Sequence, residues 1–214
     1  MVVVSPPPPA RPVRPRFSAI PAGEKLVRIF DPTRHGTTAL TFRANGPRKR
    51  FDHHRGTTHD RAPCDDPERA IYYAAWSDRA PAGAFSSCFV EIFGDTGLVE
   101  LDHRAVALPT LTRPLHLLDL RGVGAMRAGT VAAITACDYR LSQRWACYFY
   151  EDTDDFDTID GISYHNAHNG EPALALFERA RDALICPPED VMRLDNPALR
   201  PLVLDIMRQN NLSF

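Results

Sequence analysis

The chain has 214 residues, of which 44% are hydrophobic and 24% are charged, and its formal net charge at pH 7 is −2. The length suits one domain, and the composition is typical of a globular protein with a hydrophobic core. No apolar run approaches the roughly 18–20 residues that a membrane-spanning helix needs, so we expect no transmembrane segment. A net charge this close to zero gives no overall electrostatic reason to bind nucleic acid.

The N-terminal sequence and the cysteines indicate a cytoplasmic protein. Residues 1–5 (MVVVS) lack the charged region and the long apolar stretch of a secretory signal. The five cysteines are odd in number and widely scattered, and they contain no Cys-x-x-Cys pair. This pattern argues against a disulfide framework and favours small buried thiols.

Proline and arginine dominate the first 23 residues. Residues 6–9 are four consecutive prolines, and Pro12, Pro15 and Pro21 follow among arginines. Such a segment favours an extended polyproline II conformation and offers little apolar surface to offset the entropy of ordering. We therefore predict a disordered tail over residues 1–23 and one folded domain over residues 24–214.

Strand and helix patterns alternate along the predicted domain. Apolar, β-branched and aromatic runs predict strands at residues 26–30, 70–75, 115–120 and 161–164. Apolar periodicity and end signals predict helices at residues 86–93, 125–137, 142–150 and 172–184. Ser86 or Ser87 is the expected N-cap of the first helix, and Gly94 is its expected stop. Interleaved short strands and helices of this kind indicate a compact α+β fold.

Two possible catalytic or nucleotide-binding motifs are weak. Gly122-x-Gly124 after an apolar strand resembles the start of a dinucleotide-binding turn, but Arg127 stands where the third glycine should fall. A simple turn between strand and helix is favoured. Cys88 and His103 could supply a nucleophile and a base, but no third group orders them.

Two clusters of potential metal ligands also favour simpler interpretations. The first cluster comprises His53, His54, His59 and Cys64. Its spacing does not match that of any closed zinc site, which favours a solvated loop. The second is the acidic run at residues 151–157, which lacks the glycine that an EF-hand loop beginning at Asp152 requires. We expect a solvated acidic loop there and no bound metal.

Four short blocks, each weak alone, occur in a specific order. They are VRIF at residues 27–30, GPRKRF at residues 46–51, AIYYAA at residues 70–75 followed by SCFVEIFG at residues 87–94, and GISYHN at residues 161–166. This ordered set resembles the RES domain, a family of NAD-consuming toxins of bacterial toxin–antitoxin systems. The resemblance covers about residues 26–178.

Position by position, the resemblance points to five residues. The family has a first-strand arginine, a turn arginine, a strand tyrosine, a glutamate and a serine, which correspond here to Arg28, Arg50, Tyr73, Glu91 and Asn166. Asn166 departs from the family, because its amide forms hydrogen bonds but supplies no hydroxyl. The resemblance implies catalytic roles for Arg50, Glu91 and Asn166, and ligand binding by Arg28, Arg50 and Tyr73. We expect all five to line one concave pocket.

The resemblance also implies a fold related to ADP-ribosyltransferases and cleavage of NAD at the nicotinamide–ribose bond. These residue types suit that reaction. A guanidinium binds phosphate bidentately, and a tyrosine ring offers nicotinamide a flat apolar face. A carboxylate such as Glu91 stabilises the positive charge that develops on the ribose as nicotinamide leaves. NAD is then the substrate, and no metal takes part.

The function implied is that of a cytoplasmic toxin that consumes NAD by hydrolysis or phosphorolysis. The expected partner is a helix-turn-helix antitoxin that covers the site and itself binds DNA, so the toxin need not bind nucleic acid. Two alternatives stay open. One is transfer of ADP-ribose to a protein through the same pocket. The other is a catalytically degenerate RES-like domain that only binds a nucleotide or a partner, which the departure at Asn166 favours.

Overall fold

The computed structural model describes residues 3–55, 62–78 and 81–214 of the chain. The strands are β1 (Phe17–Ile20), β2 (Arg28–Phe30), β3 (Asn45–Gly46), β4 (Cys64–Asp65), β5 (Ile71–Ala74), β6 (Ala105–Ala107), β7 (Thr110–Leu111), β8 (Leu115–Asp119), β9 (Gly161–His165), β10 (Pro172–Phe177), β11 (Leu184–Ile185) and β12 (Val191–Arg193). The α-helices are α1 (Pro81–Phe93), α2 (Gly124–Arg127), α3 (Tyr139–Glu151), α4 (Thr153–Phe156) and α5 (Arg200–Gln209).

A five-stranded sheet forms the centre of the described residues, in the order β1-β8-β9-β10-β5. β8 and β9 are parallel, and the other neighbouring strands are antiparallel. Along β10, Ala175 and Phe177 pack in one hydrophobic cluster, whereas Leu174 and Leu176 pack in another. Successive side chains of a strand point to opposite faces, so the central sheet is buried on both sides.

Helices and a smaller sheet cover the central sheet. From α3, Trp145 and Phe149 pack in the cluster that contains Phe177. The smaller sheet has the order β12-β6-β2, and Val27, just before β2, bridges to Ala75, just after β5. α1 and α5 share a hydrophobic cluster with this smaller sheet. α1 is thereby held beside both sheets, against β10 of the central sheet and β2 of the smaller sheet.

The predicted strands and the α+β class are confirmed. The four predicted strands correspond to β2, β5, β8 and β9, and the helix predicted at residues 142–150 corresponds to α3. α3 begins earlier than predicted because the Asp138 side chain accepts a hydrogen bond from the backbone N–H of Arg140 at 2.8 Å, which caps the helix. None of the described helices combines the length and apolar character that crossing a membrane requires.

The first predicted helix is present, but its start is wrong. α1 begins at Pro81, a residue suited to a first helical turn because it has no backbone N–H to satisfy. Ser86 and Ser87 were expected to cap the helix, yet they lie inside it and are buried. The predicted stop is correct, since the helix ends at Phe93, immediately before Gly94.

Two other predicted helices are wrong. Residues 172–184 form β10 and then a 3₁₀ helix at Glu178–Ala183. β10 is apolar on both sides because both faces are buried, so it lacks the alternation that distinguishes a strand from a buried helix. Residues 125–137 hold the end of the short α2 and a 3₁₀ helix at Ala132–Thr135. Between these, Gly129 adopts a φ of +84°, which a right-handed helix cannot accommodate.

The segment before the predicted domain packs against it, so the disordered tail over residues 1–23 is not confirmed. Phe17–Ile20 is β1, an edge strand of the central sheet paired with β8. Nearer the N-terminus, the indole N–H of Trp145 donates to the backbone carbonyl of Ser5 at 2.8 Å. The high proline and arginine content hid this packing, in which Val4, Val13 and Phe17 contact one hydrophobic cluster and Ile20 is buried in another.

We expect deletion of residues 1–20 to lower the melting temperature by about 5 °C or more. The deletion removes β1 and leaves the buried Asp119 without its 2.9 Å ion pair to Arg16. A loss of about 2 kcal/mol lowers the melting temperature of a domain of this size by roughly 4–8 °C. Thermal unfolding of the full and shortened chains measures the effect, with a chain lacking only residues 1–3 as the control. An unchanged melting temperature would instead mark residues 1–20 as a detached tail.

Candidate active site

A pocket of about 450 Å³ lies between α1, the turn at residues 46–52, and the strands β5 and β9. Its lining includes Arg50, Tyr73 and Glu91, which belong to three separate elements. The volume lies within the range of about 300–1,000 Å³ that is usual for small-molecule sites. The structure thus brings together three of the five residues singled out from the sequence, while their chemical roles stay predictions.

Asp52 holds the turn that carries Arg50. Its side chain is fully buried, and both of its carboxylate oxygens accept hydrogen bonds from Arg43 Nη2 at 2.7 Å. The backbone N–H groups of Arg48 and Lys49 donate to Asp52 Oδ2 at 2.5 Å and 2.8 Å. A buried carboxylate is tolerated only when it is paired and hydrogen-bonded in this way. The turn therefore has one strongly favoured conformation.

Tyr73 connects that turn to the central sheet. Its hydroxyl donates to Asp52 Oδ1 at 2.8 Å and accepts a hydrogen bond from the backbone N–H of Phe51 at 3.1 Å. Burial and the adjacent Asp52 carboxylate raise the pKa of Tyr73 well above its ordinary value, so the hydroxyl keeps its proton. The two hydrogen bonds fix the orientation of the half-buried ring, part of which lines the pocket.

Arg50 is fixed by the first residue of α3 and by the segment just before that helix. Its Nη1 donates to the backbone carbonyl of Cys137 at 2.7 Å, and its guanidinium carbon lies 4.7 Å from the centre of the Tyr139 ring. The turn itself is tied to α3, because Gln143 Nε2 donates to the carbonyl of Lys49 at 2.9 Å. The half-buried guanidinium is therefore preorganised before any ligand arrives.

The pocket carries more positive than negative charge. Among the described residues, the cationic side chains that line it are Arg34, Lys49, Arg50 and Arg104. The carboxylates that line it are Glu91 and Asp95. A concave site with an excess of cations favours an anionic ligand such as a phosphate ester.

Glu91 lies on α1, and its side chain is open to the pocket. Partial desolvation by the surrounding protein raises the pKa of its carboxyl, and the nearby His168, Arg50 and Lys49 oppose that rise. An ionised carboxylate in such a setting stabilises positive charge on a bound ligand more strongly than one surrounded by water.

Asn166 lies beside the pocket and does not line it. Its side chain is buried, and Nδ2 donates to Ser87 Oγ at 2.9 Å and to Asn169 Oδ1 at 2.8 Å. Its Oδ1 accepts from the backbone N–H groups of His168 and Asn169, each at 2.9 Å. Asn166 therefore closes the turn between β9 and β10, and its hydrogen bond to Ser87 connects it to the pocket wall.

Arg28 is not brought to the pocket. Its guanidinium carbon lies 4.1 Å from the centre of the Tyr72 ring, and Tyr72 packs in the cluster on the other face of the sheet. Side chains alternate along a strand, so the residues that reach the pocket are the next ones along each strand: Ile29 after Arg28 on β2, and Tyr73 after Tyr72 on β5. The expectation that Arg28 lines the pocket is therefore wrong by one position of the strand.

The thiol of Cys88 lines the pocket but is a poor nucleophile. It donates to the backbone carbonyl of Val27 at 3.1 Å, and burial raises its pKa to about 12. The thiolate, which is the reactive form, is then scarce at neutral pH. His103, the residue considered as its base, lines a different cavity.

The glycine turn and the buried histidines have structural roles in the part of the chain that the structure describes. A Cβ at Gly124 would lie 1.8 Å from the carbonyl oxygen of Asp119, so the turn after β8 requires this glycine. The expected solvated histidine loop is wrong, because His53 and His54 are fully buried, whereas His59 lies outside the described residues. The part of the chain that the structure describes contains no group of three His, Cys, Asp or Glu residues that could hold a metal ion.

Several lining residues were not foreseen from the sequence. Lys49 lies beside Arg50 in the GPRKRF block, but the family resemblance assigns it no role. Arg34 and Arg104 lie outside regular strands and helices, where no periodicity indicates direction. Ser87 is of a type that favours a helix cap, but it lies inside α1. The charge and position of Lys49 were an available signal, whereas the other three depend on tertiary packing.

The chain is similar to proteins of one family. The model of the RES domain family matches residues 25–197. Over 88 residues the chain is 36% identical to "Probable toxin y4kH" of Sinorhizobium fredii (strain NBRC 101917 / NGR234), a match that spans 39% of this chain and 65% of that protein. A chain of the M. tuberculosis MbcT–MbcA toxin–antitoxin complex has a similar fold, with a TM-score of 0.51 at 16% identity, covering 86% of this chain and 91% of that chain.

We expect Asp52→Asn to lower the free energy of unfolding by about 3 kcal/mol, because it removes the charge that pairs with Arg43 while leaving buried donors in place. Urea unfolding followed by circular dichroism measures the change. Asp205→Asn is the matched control, since Asp205 pairs with Arg208 on the exposed surface of α5 and should contribute less than about 1 kcal/mol. Equal effects for the two variants would show that Asp52 does not hold the turn.

Proposed function

This chain belongs to the RES domain family, and we propose that it is an enzyme that cleaves the nicotinamide–ribose bond of NAD. The observation that carries the proposal is the convergence of Arg50, Tyr73 and Glu91 on one pocket with an excess of cations. The residue types are those that this chemistry needs: a cation for phosphate, an aromatic ring for nicotinamide and a carboxylate for developing positive charge.

The turn that carries Arg50 and the ring of Tyr73 would bind NAD. Arg50 and the adjacent Lys49 would bind the phosphate next to the nicotinamide ribose, with little loss of conformational freedom for Arg50 because its guanidinium is already fixed. The ring of Tyr73 would contact the nicotinamide. Its hydroxyl is engaged by Asp52 and by the N–H of Phe51, so the ring contributes a face rather than a proton.

Glu91 would act on the reaction itself. The bond between the ribose C1′ and the nicotinamide nitrogen breaks, and its electron pair leaves with nicotinamide, which thereby becomes neutral. C1′ gains positive charge, which the Glu91 carboxylate stabilises. Water then bonds to C1′ and releases one proton to give ADP-ribose, or inorganic phosphate bonds there to give a phosphorylated ADP-ribose.

The biological role we propose is that of a toxin that depletes NAD and is neutralised by an antitoxin of the helix-turn-helix class. Two matches support this role: one relative is named a probable toxin, and the structurally similar chain comes from a toxin–antitoxin complex. An antitoxin that covers the pocket would block NAD entry directly. We expect the pair to act in the cytoplasm, where NAD is available.

A second candidate is a degenerate domain that binds a nucleotide without cleaving it. The observation that favours it is the place of Asn166, which is occupied in closing a turn and offers the pocket no hydroxyl. A third candidate, transfer of ADP-ribose to a protein, would use the same pocket with another acceptor. Release of nicotinamide by the purified chain alone favours the first candidate, and modification of a protein favours the third.

We expect Glu91→Gln to slow nicotinamide release by about 10²–10³-fold while changing NAD affinity little, because the lost charge acts mainly in the transition state. Release is measured by chromatography and affinity by calorimetry. Glu189→Gln is the control, since Glu189 is exposed in a 3₁₀ helix and does not line the pocket. If Glu91→Gln cleaves NAD as fast as the unchanged chain, Glu91 is not the catalytic carboxylate.

The pH dependence of kcat should show an acid limb controlled by Glu91. Only the ionised carboxylate stabilises positive charge, so activity falls as pH drops through its pKa. Because desolvation raises that pKa, the fall begins at a higher pH than an exposed glutamate would give. Lys49→Gln removes a cation that opposes the rise, so it should move the acid limb to still higher pH. A limb that moves to lower pH in Lys49→Gln would contradict this assignment.

A further inference from the structure

A second cavity of about 690 Å³ shares two arginines with the candidate active site. Arg34 and Arg104 line both cavities. The rest of the second cavity, which we call the outer cavity, is formed by residues of the 31–34 and 99–104 segments together with Asp195 and Phe214. We propose that the two cavities form one groove for a dinucleotide, in which Arg34 and Arg104 bind the adenosine-side phosphate and the outer cavity receives the adenosine. This inference rests on the proposed function.

Arg104 has the surroundings expected of an anion-binding group. Its side chain is half-buried, and its guanidinium carbon lies 6.0 Å from the centre of the Phe93 ring. Among the described residues, the Arg104 side chain makes no hydrogen bond and no ion pair within 4.0 Å, and the carboxylate with which it interacts electrostatically at longer range is that of Asp31. A half-buried guanidinium has five N–H donors to satisfy, and an anion between the two cavities would satisfy several of them.

Arg34 is largely exposed, and its ion pair with Asp31 does not use its whole guanidinium. Its Nε pairs with Asp31 Oδ2 at 3.1 Å, so that ion pair leaves the two terminal nitrogens unoccupied. Asp31 is itself fixed by Thr33, whose hydroxyl and backbone N–H donate to Oδ1 at 2.6 Å and 2.9 Å. Two terminal nitrogens in one plane match the geometry of two phosphate oxygens.

The chemistry of the groove changes along its length. The inner pocket has Lys49 and Arg50 beside the aromatic rings, whereas four carboxylates line the outer cavity: Asp31, Glu100, Asp102 and Asp195. Asp31 pairs with Arg34 and Asp195 pairs with Arg193, so Glu100 and Asp102 are the carboxylates left to a ligand. Carboxylates repel phosphate but accept hydrogen bonds from ribose hydroxyls, a role that an acidic residue has in other dinucleotide sites. A neutral nucleoside therefore fits the outer cavity, and the two phosphates fit the cations on its inner side. The competing occupant is a cationic acceptor, which the carboxylates would also attract.

Binding of ADP tests the groove without any turnover. ADP carries both phosphates and adenosine but no nicotinamide, so it should bind the full chain more tightly than inorganic diphosphate does. By calorimetry, Arg104→Gln should weaken ADP binding about tenfold and Arg34→Gln about fivefold. Arg208→Gln is the matched control for Arg34, because Arg208 also pairs with an aspartate three residues before it and is similarly exposed. We expect it to change ADP affinity less than twofold.

Cleavage kinetics separate this inference from the proposed function. Nicotinamide mononucleotide has the same scissile bond but lacks the adenosine-side phosphate and the adenosine. Arg34→Gln and Arg104→Gln should therefore lower the ratio of kcat/KM for NAD to that for nicotinamide mononucleotide by about fivefold to tenfold. If the two variants cleave NAD with an unchanged ratio, the groove hypothesis is wrong, whereas the proposed function is not contradicted.

If the chain without substitutions cleaves no NAD, the proposed function is wrong. ADP binding alone then tests whether the groove exists. The groove is rejected if ADP binds no better than diphosphate, or if Arg34→Gln and Arg208→Gln weaken ADP binding equally. It is also rejected if a cationic ligand such as spermidine competes with ADP for the outer cavity. Melting temperatures of the variants show whether any loss of binding reflects unfolding.

Discussion

The buried carboxylate of Asp52 is the interaction on which the candidate site depends. It joins three parts of the fold: Arg43 before the turn, the backbone of the turn itself, and the hydroxyl of Tyr73 on β5. Removing one partner of a buried charge costs several kcal/mol, so the arrangement is effectively all or none. The same carboxylate that fixes the cationic turn therefore fixes the aromatic ring beside it.

Strand order brings these distant blocks together. β10 lies between β9 and β5 in the central sheet, which places the GISYHN block only one strand away from the strand of Tyr73 although about 90 residues separate them in the chain. At Gly161, a Cβ would lie 2.4 Å from the carbonyl oxygen of Ala175, so the close approach of β9 and β10 requires glycine. Gly46 is required by packing as well, since a Cβ there would lie 2.5 Å from the ring of the buried His54. The glycines of the matched blocks therefore permit close packing within the fold. Arg50, Tyr73 and Glu91, which belong to the same blocks, line the pocket.

The sequence allowed four of the strands, the fold class and three pocket residues to be predicted, because these depend on local pattern or on motif order. It did not reveal on which face of β2 the arginine lies: Arg28 packs on Tyr72, and its neighbour Ile29 reaches the pocket. Nor could it separate strand from helix at residues 172–184, where burial on both faces removes the alternation. The role of Asn166 in closing a turn, and the place of Arg34 and Arg104 between two cavities, follow from tertiary packing alone.

The most direct measurement is the fate of NAD incubated with the purified chain, with and without inorganic phosphate, followed by mass spectrometry. If the pocket cleaves the nicotinamide–ribose bond, nicotinamide appears in step with the loss of NAD. ADP-ribose accompanies it if water is the acceptor, and a phosphorylated ADP-ribose accompanies it in phosphate buffer if phosphate is the acceptor. NAD that stays intact in both buffers, although calorimetry detects its binding, would contradict the enzymatic account and favour the degenerate binding domain.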